Sequence, residues 1–164
     1  MKRIKKSLIL GLALPIILAS CSEERPVSSP PKDPVANVSA TAETTPVQDS
    51  DDAADDAAIW VNPANPQDSV IIGTNKRRGL GLYDLDGRLL SFREDGRMNN
   101  VDIRQDVEIG TDIMDVVAAT NRTDKSISVY RFESSNRTLT PLLDIQTDFA
   151  DPYGLCLYKN PASG

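Results

Sequence analysis

The 164-residue sequence contains no histidine, and this absence restricts the chemistry that the chain can perform. Histidine is the usual general base of hydrolytic triads, the residue modified in phosphohistidine enzymes and a common zinc ligand. A Ser-His-Asp triad, a phosphohistidine intermediate and a histidine-ligated zinc site within this chain are therefore excluded.

The sequence also lacks an apolar run long enough to cross a bilayer comfortably. Its longest apolar stretch, residues 8–18, follows a basic start and is shorter than the roughly 20 residues of a membrane-spanning helix. The stretch ends in Leu18-Ala19-Ser20-Cys21, which resembles the lipobox of bacterial lipoproteins. Residues 1–21 are therefore predicted to be a lipoprotein signal peptide, with Cys21 lipidated and the mature chain anchored in the bacterial cell envelope, outside the cytoplasm. The alternative is an ordinary signal peptide with an incidental cysteine.

Cysteine is scarce, with only two residues in the chain. Lipidation of Cys21 would leave Cys156 alone, so no intrachain disulfide is expected in the mature protein. Cys156 lies in an apolar run, Leu155-Cys156-Leu157-Tyr158, and is predicted to be a small buried hydrophobic residue and not a reactive thiol.

Positive charge is in deficit, since 24 acidic residues face 18 basic ones. Setting aside the cations of the signal peptide makes the balance still more negative. Such a charge argues against a nucleic-acid partner, because a nucleic-acid surface requires an excess of lysine and arginine. It favours the binding of hard cations, which take oxygen ligands.

Two parts follow the signal peptide. Residues 22–46 are rich in proline, serine and threonine and carry almost no large apolar side chains, so they are predicted to be a disordered tether. Residues 47–164 are predicted to be the folded domain. Alternatively, residues 44–47 already join that domain as a strand.

The most informative pattern is a repeat with an offset of 46 positions. Residues 70–76 end in Thr74-Asn75-Lys76, and residues 116–122 end in Thr120-Asn121-Arg122. The same offset relates Asp56 to Asp102. A period of 40–50 residues built from short strands is typical of β-propeller blades, whose equivalent loops meet on one face of the molecule.

The domain is predicted to be all-β. Short strands are expected near residues 58–61, 69–74, 79–83 and 89–92, and again near residues 101–103, 113–120, 127–130 and 138–140. Asp86-Gly87 predicts a hairpin turn, and the acids around it lack the spacing of a calcium loop.

A third unit is predicted to open at residues 153–158. Two blades and one further strand cannot close a ring, because propellers usually have 4–8 blades and an open stack leaves strand edges unpaired. The chain is therefore expected to be a fragment of a longer protein. The alternative is that it completes the ring with other chains.

Six segments of this domain, in family order and spacing, resemble the N-terminal part of the β-propeller phytases. The segments are residues 52–63, 72–76, 82–87, 99–102, 120–123 and 153–158. The resemblance implies a six-bladed propeller, a calcium cofactor and inositol hexakisphosphate as substrate. One departure is that Ala57 stands where the family usually has proline.

The adjacent acids Asp55 and Asp56 are the candidate metal ligands. On an extended segment they point in opposite directions, so they serve either two ions or one ion and one structural bond. The resemblance implies that Asp55 binds the active-site calcium cluster. It also implies that Asp56 binds a neighbouring calcium, with weak help from backbone oxygens near Ala57 and Val101. The acids at 51–52 are expected to be a solvated loop.

Lys76, Arg122 and Tyr153 are the candidate phosphate-binding residues. The equivalent placement of Lys76 and Arg122 directs both cations to the same rim, where cations can neutralise phosphate oxygens. The resemblance implies that both bind substrate phosphates and that Tyr153 adds a hydroxyl donor. The alternative for Tyr153 is a core aromatic.

The implied activity is release of phosphate from inositol hexakisphosphate by attack of a metal-activated water, in a protein that is monomeric when full length. Most ligands of the calcium cluster would come from later blades, so the 164 residues alone are expected to be inactive. The alternative function is a non-enzymatic, lipid-anchored propeller module that binds phosphorylated ligands or protein partners.

Overall fold

The computed structural model describes residues 36–160, and its regular elements all fall in the second of two compact units, residues 39–164. The described end of the first unit, residues 36–38, forms neither helix nor strand. Residues 1–35 lie outside the described part, and with them the predicted signal peptide and Cys21. Within residues 36–160, no helix has the length and apolar character needed to cross a membrane.

The first sheet is an antiparallel meander of four strands in the order β1-β2-β3-β4. Its strands are β1 (Ala54–Trp60), β2 (Val70–Asn75), β3 (Gly79–Tyr83) and β4 (Leu89–Arg93). A single 3-10 turn, Pro66–Asp68, follows β1. The four predicted strands of the first repeat are therefore confirmed.

The second sheet has the same design, with the order β5-β6-β7-β8. Its strands are β5 (Met98–Ile109), β6 (Asp112–Asn121), β7 (Ser126–Glu133) and β8 (Thr138–Gln146). In β7 every second residue is buried, which is the period of a strand with one covered face. Two successive four-stranded meanders are the predicted all-β architecture of a partial propeller.

The core lies where the two sheets face each other. Trp60 of β1 is 2% exposed, and its ring centroid lies 4.6 Å from that of Phe132 in β7. The indole Nε1 donates a hydrogen bond of 2.6 Å to Oδ2 of Asp115 in β6. Buried aliphatic side chains from both sheets complete one continuous cluster. The two repeats therefore fold as neighbours.

The predicted hairpin between β3 and β4 is confirmed. Gly87 has a φ of 80°, a left-handed conformation that favours glycine, and its N–H donates to the carbonyl of Asp84. The Asp84 carboxylate accepts N–H bonds from Asp86 and Arg88 within the same turn, so it is a turn residue. Thr45 donates its N–H to the Gly87 carbonyl at 2.7 Å, although residues 44–47 form no strand.

The segment at residues 153–158 is not a strand in the structure, because no neighbouring strand pairs with it in the described part of the chain. It is held at the side of the second sheet instead, where the N–H of Leu157 donates to Oδ2 of Asp102 at 2.8 Å. Cys156 is exposed, so the prediction that it is buried is wrong.

Candidate functional site

The two Thr-Asn-cation tripeptides close equivalent strands, β2 and β6, and their threonines make the same type of contact. The Thr74 hydroxyl accepts the N–H of Asp56 at 2.9 Å. The Thr120 hydroxyl accepts the N–H of Asn100 at 3.0 Å. Both threonines are buried, and each ties the end of its strand to the start of the sheet's first strand.

The two asparagines then turn the chain. Oδ1 of Asn75 accepts the N–H of Arg77 at 2.8 Å, and Oδ1 of Asn121 accepts the N–H of Thr123 at 3.0 Å. An asparagine that bonds the backbone two residues later forms an Asx turn. Both asparagines are buried, so the two turns are fixed. The residues that follow them, Lys76 and Arg122, therefore lie at the same end of the two sheets.

Lys76 is the cation of the first repeat, and only 8% of it is exposed. Its Nζ lies 2.6 Å from Oδ2 of Asp52 and 3.1 Å from Oδ1 of Asp55. The hydrogen bond to Asp52 is the main cause that raises the pKa of Lys76 and lowers the pKa of Asp52. The Asp52 side chain is largely exposed, as predicted for a solvated loop, and it also forms an ion pair with Lys76.

Arg122 is the cation of the second repeat and binds one carboxylate with two nitrogens. Its Nε lies 2.5 Å from Oδ1 of Asp151, and its Nη2 lies 2.6 Å from Oδ2. Nη1 donates to Oδ1 of Asn99 at 3.3 Å. The bond to Asp151 is the main cause that raises the pKa of Arg122. The guanidinium also lies 5.7 Å from the centroid of the Tyr153 ring.

A cavity of about 220 Å³ connects these residues. Its lining residues are Asp52, Lys76, Arg77, Arg97, Arg122 and Tyr153. The three predicted phosphate-binding residues therefore line one cavity, although they are up to 77 positions apart in the sequence. Tyr153 is 57% exposed, so it is not a core aromatic.

Sequence reasoning missed two cations of this cavity, Arg77 and Arg97. Arg77 directly follows the first repeated tripeptide, and its place next to Lys76 in the sequence could have indicated that it lies at the same cavity. Arg97 comes just before β5, where Gly96, with a φ of 117°, passes close to Asn121. Nothing in the spacing of the repeat points to Arg97.

Asp56 lies at the junction between the two sheets, away from this cavity's lining. Its Oδ2 accepts hydrogen bonds from Asn100 Nδ2 at 3.0 Å and from the N–H of Val101 at 3.1 Å. Its Oδ1 accepts the N–H of Ala57 at 2.9 Å. Val101 thus presents its N–H, and not its carbonyl, to this carboxylate. The two adjacent acids have different partners, as their opposite directions on a strand require.

Asp102 repeats this arrangement in the second sheet. Its Oδ1 accepts the N–H of Ile103 at 2.7 Å, and its Oδ2 accepts the N–H of Leu157. Arg104 also contacts Oδ1 at 2.7 Å. Each repeat therefore contains an aspartate that joins its sheet to a later part of the chain. Asp56 joins the first sheet to β5, and Asp102 joins the second sheet to the segment around Leu157.

The donor set available to a calcium ion is incomplete in residues 36–160. No cluster of three or more acidic or cysteine side chains in this part could hold a metal ion. The Asp55 carboxylate fits the role of one ligand, because Lys76 engages only its Oδ1 and no hydrogen bond within residues 36–160 engages its Oδ2. Asp56 fits less well, because three N–H donors engage its two oxygens.

Comparisons with known proteins agree with the resemblance of the sequence. The pattern that defines the family described as Phytase matches residues 6–164. The 3-phytase of Bacillus subtilis (strain 168) is 35% identical over 168 aligned positions. The alignment covers 99% of this chain and 44% of that relative, so the chain spans less than half the relative's length. A family match over nearly the whole sequence leaves one conclusion: the chain belongs to the phytase family.

Proposed function

We propose that this protein is a calcium-dependent phosphomonoester hydrolase that releases phosphate from inositol hexakisphosphate. The observation that carries the proposal is the meeting of Lys76, Arg122 and Tyr153 at one cavity. Cations and hydroxyl donors that are held in place before the reaction stabilise the charge that develops on a phosphate in the transition state. The name of the bacillar relative supports the same reaction.

Arg122 has the geometry for a phosphate group. It already forms a two-nitrogen fork on the oxygens of Asp151, and the same fork fits two oxygens of a phosphate. Its contact with Asn99 fixes the third nitrogen. A phosphate that replaces the Asp151 carboxylate would therefore be bound without any rearrangement of the guanidinium.

Lys76 supplies a second positive charge at the same cavity. Its buried stem and two carboxylate partners fix the position of the ammonium group. The pKa of Lys76 is raised from its ordinary value, so the group stays protonated at neutral pH and throughout the reaction. Its part is to hold and neutralise phosphate oxygens, and not to transfer a proton.

Asp55 is the residue of this part of the chain that we assign to calcium. A hard cation requires six to eight oxygen ligands, so Asp55 supplies one of several. Calcium bound there would polarise the phosphate and lower the pKa of an attacking water. Asp56 and the Val101 backbone remain weaker candidates for a neighbouring calcium, since both are already joined by a hydrogen bond.

The test compares Arg122→Gln with Arg137→Gln, an arginine in the turn between β7 and β8. Because the 164 residues alone are expected to be inactive, both variants are made in a form extended to the length of the relative. Phosphate release from inositol hexakisphosphate is measured with calcium and with chelator, and binding is measured by calorimetry. Arg122→Gln is expected to reduce kcat/KM by about 100-fold, because it removes a fixed donor to the transition state, while Arg137→Gln has no effect.

Three results would contradict parts of the proposal. Release that continues in chelator would remove the role of calcium. Equal rates for the two arginine variants would remove the role of Arg122. Tight binding without release would favour the second candidate, a non-enzymatic propeller module that binds phosphorylated ligands through the same cavity.

We also propose that the protein is lipid-anchored through Cys21 in the bacterial cell envelope, outside the cytoplasm. The sequence at residues 18–21 supports this location. Mass spectrometry of the N-terminus should find a diacylglyceryl group on Cys21, and Cys21→Ser should release the protein from the membrane fraction. An unmodified Cys21 in the membrane fraction would contradict the proposal.

A further inference from the structure

The first strands of the two sheets carry different polar pairs near their beginning: residues 55–56 are aspartates, and residues 99–100 are asparagines. The N–H of the second member of each pair donates to the hydroxyl of the repeated threonine, Thr74 or Thr120. The next residue of each strand also lies opposite the equivalent position of β2 or β6. The asparagines are therefore the structural counterparts of the acids. This equivalence is two positions short of the 46-residue offset, so the sequence pattern did not reveal it.

The first member of each pair makes the same contact with the cation of its repeat. Oδ1 of Asp55 accepts a hydrogen bond of 3.1 Å from Nζ of Lys76. Oδ1 of Asn99 accepts one of 3.3 Å from Nη1 of Arg122. The first repeat thus holds its cation with a charged oxygen, whereas the second uses the oxygen of a neutral amide. A neutral partner can orient a cation without neutralising it.

Asn99 is also held on its other side. It is 0% exposed, and its Nδ2 donates to Oδ1 of Asn100 at 2.9 Å. Nδ2 of Asn100 donates in turn to Oδ2 of Asp56 at 3.0 Å, at the junction between the two sheets. A buried amide is costly unless its polar ends have partners, and both ends of Asn99 have one. The two amides therefore connect the guanidinium of Arg122 to the sheet junction.

The carboxylate partner of Arg122 differs from Asn99 in charge and in exposure. The side chain of Asp151 is 51% exposed, so an incoming anion can take its place on the guanidinium. A buried carboxylate at residue 99 could not leave in this way, and it would repel the same anion. Because residue 99 is an amide, the full charge of Arg122 is available to the anion once Asp151 is displaced.

We propose that Asn99 is the positioning residue of Arg122. It orients the guanidinium for a phosphate group and, because it is neutral, leaves the positive charge of the guanidinium to that group. Asn100 supports this role by holding the Asn99 amide. The inference rests on the proposed function of Arg122, through which Asn99 acts. The counterparts in the two repeats thus have different parts: Asp55 supplies negative charge, and Asn99 supplies orientation alone.

The test uses Asn99→Ala and Asn99→Asp in a form extended to the length of the relative, with kcat and KM measured for inositol hexakisphosphate in calcium. Asn99→Ala removes the contact and is expected to lower kcat/KM about tenfold. In an Arg122→Gln background the same change should cost less than about twofold, because no guanidinium remains to be oriented. Asn99→Asp keeps an oxygen towards Arg122 but adds a charge, so KM should rise about tenfold.

The matched control is Asn62, which lies after β1 at the end of the first sheet opposite Asn75. Its Oδ1 accepts the N–H groups of Ala64 and Asn65. Asn62→Ala and Asn62→Asp make the same two chemical changes away from the cavity, so kcat/KM should stay within about twofold of the wild type. Circular dichroism and thermal unfolding check that every variant is folded.

The outcomes separate this inference from the proposed function. If Arg122→Gln lowers kcat/KM but Asn99→Ala does not, Asn99 has no positioning role. A loss for Asn99→Ala that is equally large in the Arg122→Gln background would reduce Asn99 to a support of the fold. An unchanged KM for Asn99→Asp would overturn the requirement for a neutral partner. If Arg122→Gln itself has no effect, the proposed function and this inference both fail.

Discussion

The two repeats have the same tripeptide but hold their cations in different ways. Lys76 is 8% exposed and is paired with Asp52 and Asp55, which precede it in the chain. Arg122 is paired with Asp151, which follows it and belongs to the segment after the second sheet. The first cation is thus fixed by its own repeat, whereas the position of the second depends on the chain that comes next.

The largest expected difference between the repeats concerns the junction aspartates. Asp56→Ala leaves up to three N–H donors without their acceptor between the two sheets, so we expect a loss of about 2–4 kcal/mol in the free energy of unfolding. Asp102→Ala also removes the acceptor of three donors, but it should cost only about 1–2 kcal/mol, because the Arg104 side chain is partly exposed to water and Leu157 lies outside any sheet. Urea denaturation followed by circular dichroism measures both, and equal losses would contradict the asymmetry.

A smaller effect is expected at the two buried threonine hydroxyls. Thr74→Val and Thr120→Val keep the side-chain shape but remove the acceptor for the N–H of Asp56 or Asn100. Each hydroxyl also donates one hydrogen bond, so each variant loses two and should lower the free energy of unfolding by about 1–2 kcal/mol. Because Thr120 also donates to the carbonyl of Tyr153, Thr120→Val should additionally increase amide exchange near residue 153. No such local change is expected for Thr74→Val.

Ala57→Pro tests the departure from the family at the first junction. Proline has no N–H, so the substitution removes the donor to Oδ1 of Asp56. The position lies at an irregularity in the pairing of β1 with β2, where proline is tolerated, so the change in unfolding free energy should stay below about 1 kcal/mol. The freed oxygen should increase calcium affinity, as measured by calorimetry. Unchanged affinity would argue against Asp56 as a ligand.

The smallest expected effect is on the pKa values of the aspartates in the two ion pairs, Asp52 and Asp151. Asp52 and Asp151 both have a pKa below the ordinary value of 3.8, so each pair contributes stability above that pH and loses it as the pH falls through the lowered pKa. Carbon-13 NMR of the carboxyl groups should give both titration midpoints below 3.8. Lys76→Gln should raise the midpoint of Asp52 alone, and Arg122→Gln that of Asp151 alone. A shift at both sites in either variant would contradict independent pairs.

Much of the fold was predictable because the signals were local and repeated. Apolar alternation and the Asp86-Gly87 turn placed the first four strands, and the 46-residue offset predicted the second sheet from the first. The repeated tripeptide placed Lys76 and Arg122 at equivalent strand ends, where the structure has them. The family resemblance added Tyr153, whose role in phosphate binding stays a prediction.

The remaining features depend on contacts between residues that are distant in the sequence. Nothing near Arg97 indicates that its carbonyl pairs with Arg122, so its place in the cavity required the fold. The segment at residues 153–158 has a strand-like pattern, yet a strand exists only where a partner supplies hydrogen bonds. The prediction that Cys156 is buried was wrong for a similar reason, because burial depends on which distant residues pack over a side chain.

The position of Trp60 has a practical consequence. It is the sole tryptophan of the chain, and its indole lies between the two sheets, against Phe132 and hydrogen-bonded to Asp115. The tryptophan fluorescence of these 164 residues therefore comes from the boundary between the two sheets. A shift of its emission to longer wavelength reports separation of the two repeats, even while each sheet remains folded. The sequence thus carries a built-in optical probe of how blades come apart.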